Sequence, residues 1–134
     1  MVKTRRPAVM SGFEFYVRRS VVGLDLRTFS EALDVTISVA SKLQTGRSPV
    51  NRDIAAYLQE VEDAVEARIA DEFRHVDDVT VGDLRKLVLI TDPPDDWPHG
   101  PGTWQVIVAR LRQLIHSATG VSPPIEGTSG SVAV

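Results

Sequence analysis

The feature that most constrains this chain lies at residues 24–49, LDLRTFSEALDVTISVASKLQTGRSP, where two sets of helix signals flank a tight turn. Leu26, Phe29 and Leu33 recur at the spacing that lines one helical face, which predicts a helix from about Asp25 to Leu33 capped by Asp25. Asp34 then falls between Leu33 and Val35, and Asp accepts a left-handed turn conformation better than most residues. Thr36 is a second cap, whose hydroxyl can take a free backbone N–H of a new helix. In that helix Val39, Ala40 and Leu43 are expected to face inward and Ile37, Ser38, Ser41 and Lys42 outward, with Gly46 as the stop. Capped helix, turn, second cap, glycine and then Arg-Ser-Pro make the order of a helix-turn-helix.

The flanking sequence supplies elements for this motif to pack on. Phe13, Val17 and Val21 form an i, i+4, i+8 stripe, which predicts a helix from Gly12 to Val22 that turns those three residues inward and ends at Gly23. Arg18 and Arg19 are left for solvent or phosphate. From about Asn51, the expected cap, to Phe73 no Pro or Gly interrupts the chain, and Ile54, Tyr57, Leu58, Val61, Val65, Ile69 and Phe73 recur at threes and fours. Residues 75–83 read as a connector with a turn of helix through Leu84. The run KLVLIT, residues 86–91, reads as one strand. Residues 92–102 hold four prolines around Trp97 and read as a rigid loop in which that indole is packed. A last helix begins at Gly102 or Thr103, carries Trp104, Ile107, Val108, Leu111, Leu114 and Ile115 on one face, and stops at Gly120.

A lone strand cannot satisfy its own backbone, and the simplest partner for KLVLIT is the same strand of another copy. The expected organisation is therefore a flexible basic arm over 1–11, a helix-turn-helix domain with a long last helix over 12–74, a dimerisation part over 75–120 and a disordered tail over 121–134. In that dimer Leu87, Leu89, Trp104, Val108 and Leu111 would form the interface. The fold class is mainly α, with a small α+β part of one strand and one helix.

The motif resembles the lambda-repressor-like, or Xre, family of helix-turn-helix regulators. Leu24, Phe29, Leu33, Val35, Thr36, Leu43, Gly46 and Arg47 stand where that family has its apolar anchors, hydroxyl cap, helix-ending glycine and basic residue. Leu26 departs from a phosphate-contacting Gln, Ser30 from Ala, Asp34 from a turn Gly and Gln44 from Glu. The later half is loosely similar to small phage and bacterial regulators with a strand-loop-helix tail, repressors of anti-CRISPR operons among them. The resemblance implies base contacts from Ile37, Ser38, Ser41 and Lys42 and backbone contacts from Arg27, Thr36, Arg47 and Ser48. Lys suits guanine O6 and N7, Ser suits several bases, and Ile suits a thymine methyl. Lys3, Arg5 and Arg6 would supply a minor-groove arm.

Charge agrees once it is divided by position. The net charge of −3 separates into nine Lys and Arg against four Asp and Glu over residues 1–52, and six against fourteen over residues 53–134. A basic head on an acidic body suits phosphate contact by the first part alone. The absence of Cys excludes thiolate metal sites and disulfides, and three His residues make a poor ligand set, so no cofactor, metal or small-molecule ligand is expected. No apolar run approaches membrane-spanning length and no signal peptide is evident, which makes the cytoplasm the expected location.

Together these features lead to a sequence-specific DNA-binding transcriptional regulator, a homodimeric repressor on an inverted repeat of double-stranded DNA, and not an enzyme. Two other classes compete. A phage or bacterial protein-interaction module could use the same helix-turn-helix fold without DNA. A metal-dependent hydrolase would need Asp77, Asp78, Asp92, Asp95, Asp96 and His99, whose spacing matches no ligand pattern.

Overall fold

The computed structural model describes residues 8–77, 83 and 85–127. Among these the chain is mainly helical, with α1 (Gly12–Val22), α2 (Leu26–Leu33), α3 (Ile37–Gln44), α4 (Arg52–Asp77) and α5 (Gly100–Thr119), and with β1 (Leu89–Ile90) and β2 (Ile125–Glu126). It divides into two compact units, residues 1–62 and 63–134, so that α4 contributes to both. No helix among the described residues is long and apolar enough to cross a membrane.

In the first unit local chemistry sets each helix end. Ser11, Asp25, Thr36 and Asn51 each accept a backbone N–H of the first turn they precede, from Glu14 at 3.0 Å, Thr28 at 2.7 Å, Val39 at 3.1 Å and Ile54 at 3.0 Å. Gly23 ends α1 in the left-handed region at φ 75°. Asp34 ends α2 the same way at φ 53°, the only described residue other than glycine at positive φ.

The core of this unit is Phe15, Leu24, Phe29, Ala40, Leu43, Val50, Leu58 and Val61, all at 2% exposure or less. Phe15 meets Phe29 edge to face at 5.2 Å between ring centroids, and helix α3 packs on both α1 and α2. The close approach of α1 to α3 depends on Gly12. A Cβ there would lie 2.5 Å from the Leu43 carbonyl oxygen and 2.7 Å from the Gly46 nitrogen.

That approach overturns the expected orientation of α1. Phe13 and Val21 are 73% and 68% exposed and Val17 is 39% exposed, whereas Phe15 and Val22 turn inward. With Gly12 against α3, the buried side of α1 is the one that carries Phe15, Arg19 and Val22, and the i, i+4, i+8 stripe lies outside. The arm is also shorter than expected. The Val9 N–H donates to the Val50 carbonyl at 2.9 Å and Met10 bridges Val50, so the chain is tied down from Val9 onward. Lys3, Arg5 and Arg6 lie outside the described residues.

In the second unit the strand finds its partner within the chain. Strands β1 and β2 run parallel, Leu89 opposite Ile125, with Leu89 N–H donating to the Pro124 carbonyl at 2.9 Å and Thr91 N–H to the Glu126 carbonyl at 2.8 Å. Two expectations fall with this pairing: KLVLIT does not need a second copy, and the tail is ordered through Glu126. The Arg112 Nε–H donates to the Pro123 carbonyl at 2.9 Å and Pro123 is buried, which brings the segment back along α5 and within reach of β1.

Trp104, Ile107, Val108, Leu111 and Ile115 of α5 are buried together with Leu89, Val65 and Ile69. The loop before α5 holds the Trp97 indole by a hydrogen bond to the first turn of that helix. Trp97 Nε1–H donates to Thr103 Oγ1 at 2.9 Å, and the Thr103 hydroxyl, fully buried, donates back to the His99 carbonyl at 2.8 Å. Arg68 lies over both indoles, 5.1 Å from the Trp104 centroid and 6.0 Å from that of Trp97, and pairs with Glu72 and Asp96. The connector at 78–82 and Leu84 lie outside the described residues.

Candidate nucleic-acid interface

Helix α3 begins where the Asp34 left-handed turn redirects the chain, with the Val35 N–H on the Ser30 carbonyl at 3.0 Å. Ala40 and Leu43 are buried, and successive residues of a helix are rotated by roughly 100°. Ile37, Ser38, Ser41 and Lys42 therefore fall on one arc opposite the buried side. Ile37, at 53% exposure, is not a core residue. Ser38 and Lys42 are exposed and Ser41 half-buried. Val39 is less enclosed than its expected inward position, at 38% exposure.

The exit from α3 folds back on its last turn. The Thr45 hydroxyl and the Ser48 N–H both donate to the Lys42 carbonyl at 3.1 Å, and the Gly46 N–H reaches the Leu43 carbonyl at 3.3 Å, with Gly46 at φ 79°. These bonds hold Arg47 and Ser48 beside the C-terminal end of the exposed arc. Thr36 is exposed at its N-terminal end, where its backbone and hydroxyl border the free N–H groups of the first turn. Arg27 is exposed on α2.

The described cations of this unit fall into two groups. Arg27, Lys42, Arg47 and Arg52 are exposed and form no ion pair among the described residues. Arg18 and Arg19, expected to be open to solvent or phosphate, are instead committed within the unit. Arg18 pairs with Glu62, Glu14 and Gln59, and these hydrogen-bonded carboxylates hold its pKa above the usual guanidinium value. Arg19 donates to the Leu24 carbonyl at 2.8 Å and to Gln44 Oε1 at 3.0 Å, and burial draws its pKa below the usual value. Sequence periodicity carries no signal for this division, because each guanidinium is captured by residues from another element. Of the uncommitted cations, Lys42 lies in the exposed arc of α3 and Arg47 just beyond the helix's C-terminal end.

In the second unit the residues expected to pair two copies are largely enclosed. Leu89, Trp104, Val108 and Leu111 are 3–8% exposed in their own core and Leu87 is half-buried, so these residues are not presented to a second copy as the expected interface required. They border an apolar cavity of about 370 Å³ together with Arg68, which is already paired. No three His, Asp or Glu side chains among the described residues are grouped so as to hold a metal ion; Asp78 and the side chain of Asp77 lie outside the described set.

No family model, curated protein or solved structure matches this chain.

Proposed function

We propose that the chain is a sequence-specific DNA-binding transcriptional regulator of the Xre type that places α3 in the major groove. The observation that carries this reading is the exposed α3 arc of Ile37, Ser38, Ser41 and Lys42, with Arg47 held beside its C-terminal end and neither cation paired with a carboxylate among the described residues. In this reading Lys42 donates to a guanine edge, the two serines pair with adjacent bases and Ile37 packs on a thymine methyl. Thr36, Arg27, Arg47 and Ser48 contact phosphates on either side and set the register of the helix.

One eight-residue helix reads few base pairs, so useful specificity needs two. The chain then acts as a homodimer on an inverted repeat, and covering such a site makes it a repressor. Repeated selection of bound sequences from a random double-stranded DNA pool is the test. Recovery of an inverted repeat supports the proposal, and a pool that stays random after several rounds at low salt removes it.

A further inference from the structure

The apolar cavity of the second unit, about 370 Å³, lies between the second half of α4, β1 and α5, and every residue that lines it belongs to that unit. Leu89, Trp104, Val108 and Leu111 form its buried inner wall. Val88 lines it too but is 37% exposed, so it stands at the mouth. Water in a space of this kind finds few groups to bond and is displaced favourably by an apolar body. The volume falls in the range of small-molecule sites and is about two and a half times the roughly 150 Å³ that admits a benzene ring. It suits one ring with a short side chain.

The charged groups of the wall decide what else an occupant can carry. Arg68 donates through Nε to Glu72 at 2.8 Å and through Nη1 to Asp96 at 3.1 Å, so its charge is already balanced. Asp92, the other carboxylate of the wall, has an interaction of its own. A carboxylate brought here would face these acids, and an ammonium would compete with the Arg68 guanidinium for them; either would also lose its hydration. One polar capacity is left. Arg68 Nη2 makes no hydrogen bond among the described residues, whereas the Trp104 Nε1–H is taken by the Ile90 carbonyl at 3.0 Å. A guanidinium N–H donates readily to an uncharged oxygen.

We infer that this cavity binds a small uncharged molecule, an apolar body bearing one carbonyl or hydroxyl oxygen that accepts a hydrogen bond from Arg68 Nη2. The site is independent of the DNA reading above, and its test contains no DNA.

The probe is benzylacetone, a phenyl ring on a short ketone, with two relatives of nearly equal shape: hydrocinnamate, in which a carboxylate replaces the ketone, and the amine in which an ammonium does. The two tryptophans of the isotope-labelled full chain give two indole N–H resonances. Trp104 is in the wall, whereas Trp97 and its partner Thr103 are not. Benzylacetone should move the Trp104 resonance further than that of Trp97 and saturate, with both charged relatives at least about tenfold weaker. Val88→Trp, a change at the exposed mouth, should abolish the shift while leaving helicity by circular dichroism unchanged. Arg68→Lys keeps a cation for Glu72 and Asp96 but removes Nη2, and should weaken benzylacetone about fivefold. A Trp104 resonance that stays in place up to roughly 10 mM benzylacetone overturns the inference. So does a charged relative that binds as tightly, or binding that ignores Val88→Trp or Arg68→Lys.

Discussion

The Arg19 guanidinium on α1 donates at once to the Leu24 carbonyl, 2.8 Å away, and to Gln44 Oε1 at the end of α3, 3.0 Å away. One planar side chain thus ties α1, the start of the α2 segment and the last turn of α3. Removing it leaves two acceptors without donors in a half-buried place. Arg19→Ala should lower stability by about 1–3 kcal/mol in urea unfolding. Arg19→Lys should recover less than half, because a single ammonium lacks the fork that spans both acceptors.

Ser30 is 6% exposed, and its hydroxyl has no hydrogen-bond partner among the described residues. The side chain thus sits in the core with nothing to offset the lost hydration of its hydroxyl. Ser30→Ala should raise stability by about 1 kcal/mol. A fall in unfolding midpoint would show that the hydroxyl has a partner.

Lys42→Ala and Arg47→Ala separate base reading from phosphate contact. The first should cost roughly 1–3 kcal/mol at the selected site and relax preference at one position per half-site. The second should weaken all sequences alike and reduce the slope of log affinity against log salt by about one. Binding titrations at several salt concentrations against the selected and a scrambled duplex distinguish them. An unchanged slope for Arg47→Ala would remove it from the interface.

Leu89→Asp introduces a carboxylate among Trp104, Val108 and Leu111, where the lining cation Arg68 is already paired with Glu72 and Asp96. Its cost should exceed about 3 kcal/mol. Both tryptophans, Trp97 and Trp104, belong to the second unit, so indole fluorescence follows that unit alone. The variant should lose its folded indole signal at lower urea. An unshifted midpoint would place Leu89 outside the core.

Glu66 accepts hydrogen bonds from Arg110, and that contact holds its carboxyl below the usual carboxylate range. A depressed folded pKa contributes stability that is fully present above the unfolded value of about 4.3 and is lost as pH falls through the folded value. The two side chains are 62% and 43% exposed, so solvent screens most of the gain. Glu66→Gln should cost at most about 1 kcal/mol at neutral pH and nothing once Glu66 of the parent chain is protonated in both the folded and the unfolded state. Urea unfolding of both forms across that range checks it.

Features that act within four residues were legible in the sequence. Asp25, Thr36 and Asn51 cap the helices expected of them, Asp34 takes the left-handed turn, and Gly23 and Gly120 end theirs, because a cap bonds only to the turn beside it. The outward set on α3 was legible too, since only one arc of that short helix is apolar enough to bury. The facing of α1 was not: Phe13, Val17 and Val21 make as good a stripe as Phe15 and Val22, and what chooses between them is the backbone contact of Gly12 with α3. The partner of β1 was equally hidden. Ile125 and Glu126 lie in a Pro- and Gly-rich tail with no strand pattern, and they pair with Leu89 and Ile90 where Arg112 of α5 holds the preceding Pro123. Nor does composition tell a captured arginine from a free one. The sequence by itself determined where helices start, stop and turn; which faces meet, which strands pair and which cations stay open were decided by contacts between distant residues, whose energies exist only once the chain has folded.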